Sequence, residues 1–74
     1  MTTREIGAVL RATRVTQGLR QDQLAAAAGV GVRFLIELEA GKPTAQLGKA
    51  LKVIEALGCR FQIEQPTLPS DTRK

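Results

Sequence analysis

The reactive side chains of this 74-residue chain are few: one cysteine, Cys59, and no histidine. Nucleophilic catalysis needs a nucleophile beside a base, and a zinc site needs a set of Cys, His or carboxylate ligands. Neither can be assembled from one thiol. The carboxylates are scattered and no glycine-rich phosphate loop occurs, so the sequence points away from an enzyme and implies no metal and no cofactor. What the chain does concentrate is a polar set between residues 20 and 42: Arg20, Gln21, Arg33, Glu37 and Lys42. A guanidinium is a planar fork that matches paired acceptors, such as guanine O6 and N7, whereas an ammonium is a point charge suited to an anion. The chemistry available here is recognition rather than bond making. Eleven basic against seven acidic residues give a net charge of +4, an excess that suits a polyanionic partner.

These side chains must be held by helices. The 43% of apolar residues are mostly Ala, Leu, Val and Ile, with only Phe34 and Phe61 as aromatics, a mixture that favours helix. A first helix is predicted over Thr2–Gln17, with Ile6, Val9, Leu10 and Thr13 on one face, a Thr2 or Thr3 cap, and Gly18 as its stop. A second covers Gln21–Ala28, where Leu24 and the alanine run let another helix come close. Gly29 ends it. A third covers Val32–Ala40, with Val32, Leu35 and Leu38 inward and Gly41 and Pro43 beyond. The fourth spans Thr44–Leu57, with Thr44 as candidate cap, a buried stripe of Leu47, Ala50, Leu51, Ile54 and Leu57, and Lys49, Lys52 and Glu55 outside it.

After Gly58 the period changes from 3.6 to 2. Cys59, Phe61 and Ile63 alternate with Arg60, Gln62 and Glu64, which reads as a half-buried strand ended by Pro66. One strand cannot make a sheet. Pairing with the same strand of a second copy would satisfy its backbone and give a two-fold dimer; an extended tail packed on its own domain is the alternative. The expected organisation is a helical domain at 1–58, a dimerisation strand at 59–65 and a disordered polar tail at 66–74. No apolar run reaches membrane-spanning length, and the charges of residues 1–18 are wrong for a signal peptide. A lone cysteine allows no internal disulfide and fits a reducing cytosol.

The second and third segments are joined by the tight turn Ala28-Gly29-Val30-Gly31. Gly29 permits positive φ, and Val30 can fold back to fix the crossing. In a DNA-binding helix-turn-helix the second helix enters the major groove. Its exposed start would then offer Val32, Arg33, Phe34 and Glu37 to bases. Arg33 suits guanine, Val32 a thymine methyl, and Glu37 a cytosine amine or the orientation of Arg33. Phe34 either packs on thymine methyls or sugars or folds into the core. Arg20, Gln21, Gly31 and Lys42 are the phosphate candidates; Gln21 stands at the amide end of its helix. Arg4 and Arg11 read more simply as solvated charges.

The order Leu19-Arg20-Gln21-Asp22-Gln23-Leu24-Ala25, Ala28-Gly29-Val30, Leu35 and Leu38-Glu39-Ala40-Gly41-Lys42 resembles the helix-turn-helix family of phage repressors and Cro proteins, the Cro/cI or XRE type. The resemblance implies a mostly α, lambda-repressor-like domain of four to five helices. It also implies a partly buried structural ion pair between Arg14 and Glu39. Two positions depart from the family's habit: Arg20 and Gly31 stand where Ser or Thr usually caps a helix.

Together with Arg33–Leu47, Val53–Gly58 and the strand at Cys59–Glu64, the sequence is similar to the HipB-type antitoxins over residues 4–65. That resemblance implies a homodimeric repressor that binds double-stranded operator DNA in its own promoter, and a HipA-like serine/threonine kinase toxin as partner. The short chain leaves no length for a sensor domain. A stand-alone phage-type repressor and a protein–protein module without DNA binding are the alternatives. The operator sequence and the toxin-contacting surface are not encoded in any motif.

Overall fold

The computed structural model describes residues 1–66 and contains four helices: α1 (Thr3–Thr16), α2 (Gln21–Ala28), α3 (Val32–Glu39) and α4 (Leu47–Ala56). α1 packs on α3, and α2 packs on both α3 and α4. The side chains of Leu24, Leu35 and Val53, one from each of the last three helices, are fully buried at the centre. No described helix is long and apolar enough to cross a membrane.

α1 begins with a reciprocal cap. Glu5 N–H donates to Thr2 Oγ1 (3.1 Å) and Thr2 N–H donates to Glu5 Oε1 (2.7 Å), so two otherwise unpaired amides are satisfied. Its inner face is Leu10 and Arg14 with half-buried Ile6. Val9, expected in that stripe, is 52% exposed. The closest approach is made instead by Gly7. A Cβ there would lie 2.5 Å from the Leu38 carbonyl oxygen and 2.6 Å from that of Glu39, so α1 rests on the C-terminal end of α3 backbone to backbone. Thr3 Oγ1 donates to Gly41 O (2.8 Å) beside this contact.

α2 ends at Gly29, whose φ of 73° is the left-handed value the turn needs. Gly29 N–H donates to Ala26 O (3.2 Å) and Val30 N–H to Ala25 O (3.0 Å). Val30 packs against the core, as its place in the turn predicts.

The inner face of α3 is Leu35 and Leu38, flanked by half-buried Phe34; Val32 is 41% exposed. A strict three-residue spacing drifts round a helix by about 60° per step. Val32 therefore lies well away from Leu38 round the axis and outside the inner face expected for it.

α4 starts three residues later than expected. Gln46, not Thr44, is its N-cap residue, and Thr44 sits in a turn with Pro43. The buried stripe is Ala50, Val53, Ile54 and Leu57, the i, i+3, i+4, i+7 pattern of one face, while Leu47 and Leu51 are 66% and 40% exposed. Gln17 Nε2 donates to Leu57 O (2.8 Å) and ties the end of α1 to the end of α4.

Beyond Leu57, Cys59 N–H closes the helix end on Ile54 O (3.1 Å). The expected strand at 59–65 is not formed: among the described residues Cys59, Arg60, Phe61, Gln62, Ile63 and Glu64 adopt no strand. A strand is defined by its hydrogen-bonded neighbour, and no described segment of this chain supplies one. Its intended inner residues are not buried either, with Phe61 45% and Ile63 79% exposed. The tail expected to be disordered lies, from residue 67 onward, outside the described residues.

Candidate nucleic-acid interface

The turn at residues 29–31 leaves the start of α3 open. Gly31 is its N-cap residue, at φ −74° and ψ 151°, and supplies no side-chain oxygen. A Cβ at Gly31 would meet nothing within 4 Å. The first amide of this end to find a partner is that of Leu35, which donates to Gly31 O (3.2 Å). The amides of Val32, Arg33 and Phe34 thus point out of the helix with no side chain in front of them. Free amides and the positive end of the helix dipole favour a negatively charged group.

Three cations lie along the helix-turn-helix, Arg33 in the first turn of α3, Arg20 at the N-cap of α2 and Lys42 beyond the C-terminal end of α3, and their situations differ. Arg33 is exposed and makes no ion pair among the described residues. Arg20 Nε lies 3.2 Å from Asp22 Oδ1, and Lys42 Nζ lies 3.2 Å from Glu37 Oε1, both at the surface. Exposed pairs of this kind contribute only about 0–1 kcal/mol. Charge-assisted hydrogen bonds are worth more, about 1.5–3 kcal/mol. Either side chain can therefore exchange its carboxylate for a phosphate at little cost. Glu37 is thereby placed against Lys42 rather than against Arg33.

Gln21 is placed differently from its expected role. Its Nε2 donates to Glu39 Oε1 (3.1 Å), so part of its amide faces inward. Glu39 is the centre of a buried network. Arg14 Nε donates to Glu39 Oε2 (2.7 Å), Arg14 Nη2 to Glu39 Oε1 (3.1 Å), and Arg14 Nη1 to Leu19 O (2.8 Å). The two charged side chains retain only 9% and 3% of their exposure. No buried side-chain polar atom among the described residues lacks a hydrogen-bond partner. This network joins α1, the α1–α2 connection, α2 and α3, so it fixes how the N-terminal end of α2 sits relative to α3.

The cap positions follow the residue chemistry. Arg20 N–H donates to Gln23 Oε1 (2.8 Å). The arginine side chain is a donor only and cannot return the bond to the helix amides as Ser or Thr would. Phe34, open to two readings from sequence, packs against the core with Lys49 Nζ 5.7 Å from the ring centre. Arg4 and Arg11 are exposed on α1.

One exposed residue of α3 escaped the sequence reading. Ile36 is 46% exposed, one turn beyond Val32. Its signal was its spacing of four from Val32, outside the Leu35–Leu38 stripe. From sequence, Lys49 is only a residue outside the α4 stripe. Its position over Phe34 depends on how α4 crosses α3, which no local pattern reveals.

The comparisons with known proteins agree with this architecture. The sequence profile described as Helix-turn-helix matches residues 10–63. The chain is 57% identical over 65 residues to an uncharacterised HTH-type transcriptional regulator, y4mF, of Sinorhizobium fredii, covering 88% of this chain and 86% of that protein. Among solved structures, a chain of a HipB-O4 20mer complex superposes with a TM-score of 0.81, covering 90% of this chain and 94% of its own, at 15% identity. That identity speaks for the fold alone. With a short α2, a glycine turn, an open α3 and a profile match across most of its length, this chain belongs to the helix-turn-helix family of DNA-binding transcriptional regulators, of the Cro/cI (XRE) type.

Proposed function

We propose that the chain is the antitoxin of a toxin–antitoxin pair, a homodimer that represses its own operon and holds a HipA-like kinase in check. The observation that carries the DNA half is Arg33, exposed on the open start of α3 with no ion pair among the described residues. Val32, Arg33 and Glu37 lie toward the bases in this reading. Arg20, Lys42, the first amides of α2 beside Gln21 and those of α3 after Gly31 hold phosphates. Phe34 serves as a wall behind them rather than as a base contact.

The dimer is supported by apolar surface that the single chain leaves uncovered. Phe61 borders shallow grooves shared with Val9, Leu47 and Leu51. A second copy laid over this surface would cover those side chains and give the strand at Cys59–Glu64 its missing ladder. Two recognition helices on one two-fold axis would then meet a palindromic site. The kinase partner rests on the sequence similarity to HipB-type antitoxins and on the fold shared with the HipB chain.

The test is capture of the tagged chain from its native cell with identification of what co-purifies, alongside gel-shift titration on its own promoter at several salt concentrations. The expected result is a kinase-like partner and DNA affinity that falls steeply with salt, because each neutralised phosphate releases counterions. Promoter binding with no kinase-like partner would reduce the reading to a stand-alone repressor. Absence of salt-sensitive DNA binding would leave a protein–protein module.

A further inference from the structure

We propose that Ile36 is a specificity-determining residue, and that Val32 and Ile36 together read thymine C5-methyl groups beside the base read by Arg33. The proposal rests on the DNA-binding reading above and names what α3 selects. Val32 and Ile36 are 41% and 46% exposed on a helix whose other large apolar side chains, Leu35 and Leu38, are buried and whose Phe34 is packed on the core. Four residues apart, they lie about 40° from one another round the axis and about 6 Å along it, so they form one apolar strip. Arg33 stands on the flank of that strip.

The charge around the strip selects its occupant. Arg33 flanks it without an ion pair among the described residues, Glu37 on the same helix is paired with Lys42, and the amides at the start of α3 are free. An apolar strip beside a free guanidinium and open helix amides fits a major groove that shows methyl groups between two rows of phosphates. Thymine is the base that offers such a methyl there. Glutamine, asparagine or serine at these positions would favour hydrogen bonding to other edges; an Ile–Val pair can make only the methyl contact. The strip spans about two base steps of about 3.4 Å each.

The test starts with selection of duplexes from a random library by the full-length chain. In the selected duplex each thymine is then replaced singly by deoxyuracil, which removes the methyl and leaves the pairing intact. Binding is measured for the wild type, I36A and V32A. The expected consensus places thymines next to a guanine. Loss of one methyl contact weakens the wild type by about four-fold at two of those positions, the value of one buried methyl-sized group. I36A loses that sensitivity at one of the two positions and V32A at the other, with helix content unchanged by circular dichroism since both residues face outward. Deoxyuracil binding as tightly as thymine at every position, or I36A remaining as sensitive as the wild type at both, would overturn the role of Ile36 while leaving DNA binding in place. Failure to enrich any sequence would overturn the DNA-binding reading itself, and this proposal with it.

Discussion

Replacing Glu39 with alanine tests the central claim about this fold, that its helices are set by a buried charge network. In the native chain the Arg14 guanidinium meets Glu39 Oε2 at 2.7 Å and Oε1 at 3.1 Å, and Leu19 O at 2.8 Å. Removing the carboxylate leaves a cation with one acceptor in a site where its side chain is only 9% exposed. Breaking a buried pair from one side costs about 3–5 kcal/mol, because the remaining charge is uncompensated. A chain of this length has a total stability of about 4–11 kcal/mol at ordinary values per residue. The substitution therefore removes a large part of it, and at about 4–8 °C per kcal/mol the melting temperature should fall by at least about 12 °C. The assay is thermal and urea unfolding followed by far-ultraviolet circular dichroism, with protomer concentration held fixed so that any dimer linkage is equal for all variants. Arg14→Met and the double variant complete a cycle. The double variant should be less destabilised than the sum of the singles, since removing both charges leaves neither stranded. A loss below about 1 kcal/mol for Glu39→Ala, or strict additivity in the cycle, would show the pair to behave as a solvated surface pair and would refute the reasoning.

Three further outcomes follow from the same contacts. Gly7→Ala should destabilise by about 1–3 kcal/mol despite alanine's better helix propensity, because its Cβ would meet two carbonyl oxygens at 2.5 and 2.6 Å and backbone cannot step aside; a raised melting temperature would contradict the close α1–α3 contact. Thr2→Ala removes one bond of the α1 cap and should cost about 1 kcal/mol, readable in the same melts. Arg33→Ala should narrow the gap between selected and random duplexes by about 1–3 kcal/mol in competition titrations, since the lost contact discriminates one base pair; an unchanged ratio would assign Arg33 to the phosphates instead.

Part of the site was legible because its signals are local. Gly29 marks a left-handed turn wherever it falls, and the turn bonds of Gly29 and Val30 close within a few residues. Arg20 and Gly31 announced weak caps by residue type alone, and neither forms a side-chain cap bond. Arg14 and Glu39 are 25 positions apart; their pairing came from the family resemblance, and their own spacing carries no such information.

The sequence by itself located four helical segments, the turn between the second and third, and the polar set of residues 20–42, because helix period, caps and glycine conformations are properties of short stretches. Only the tertiary structure decided which apolar residues are inside. Leu47 and Leu51 lost the interior to Val53, and Val9 yielded the closest contact to Gly7, because burial depends on where a second helix lies, and several neighbouring faces of one helix look equally apolar. The tertiary structure also turned Gln21 partly inward onto Glu39, and left Arg33 and Ile36 outward together on α3. A strand at Cys59–Glu64 requires a ladder that no other described segment supplies; its alternation is written in the sequence, but a strand exists only where a neighbour's hydrogen bonds meet it.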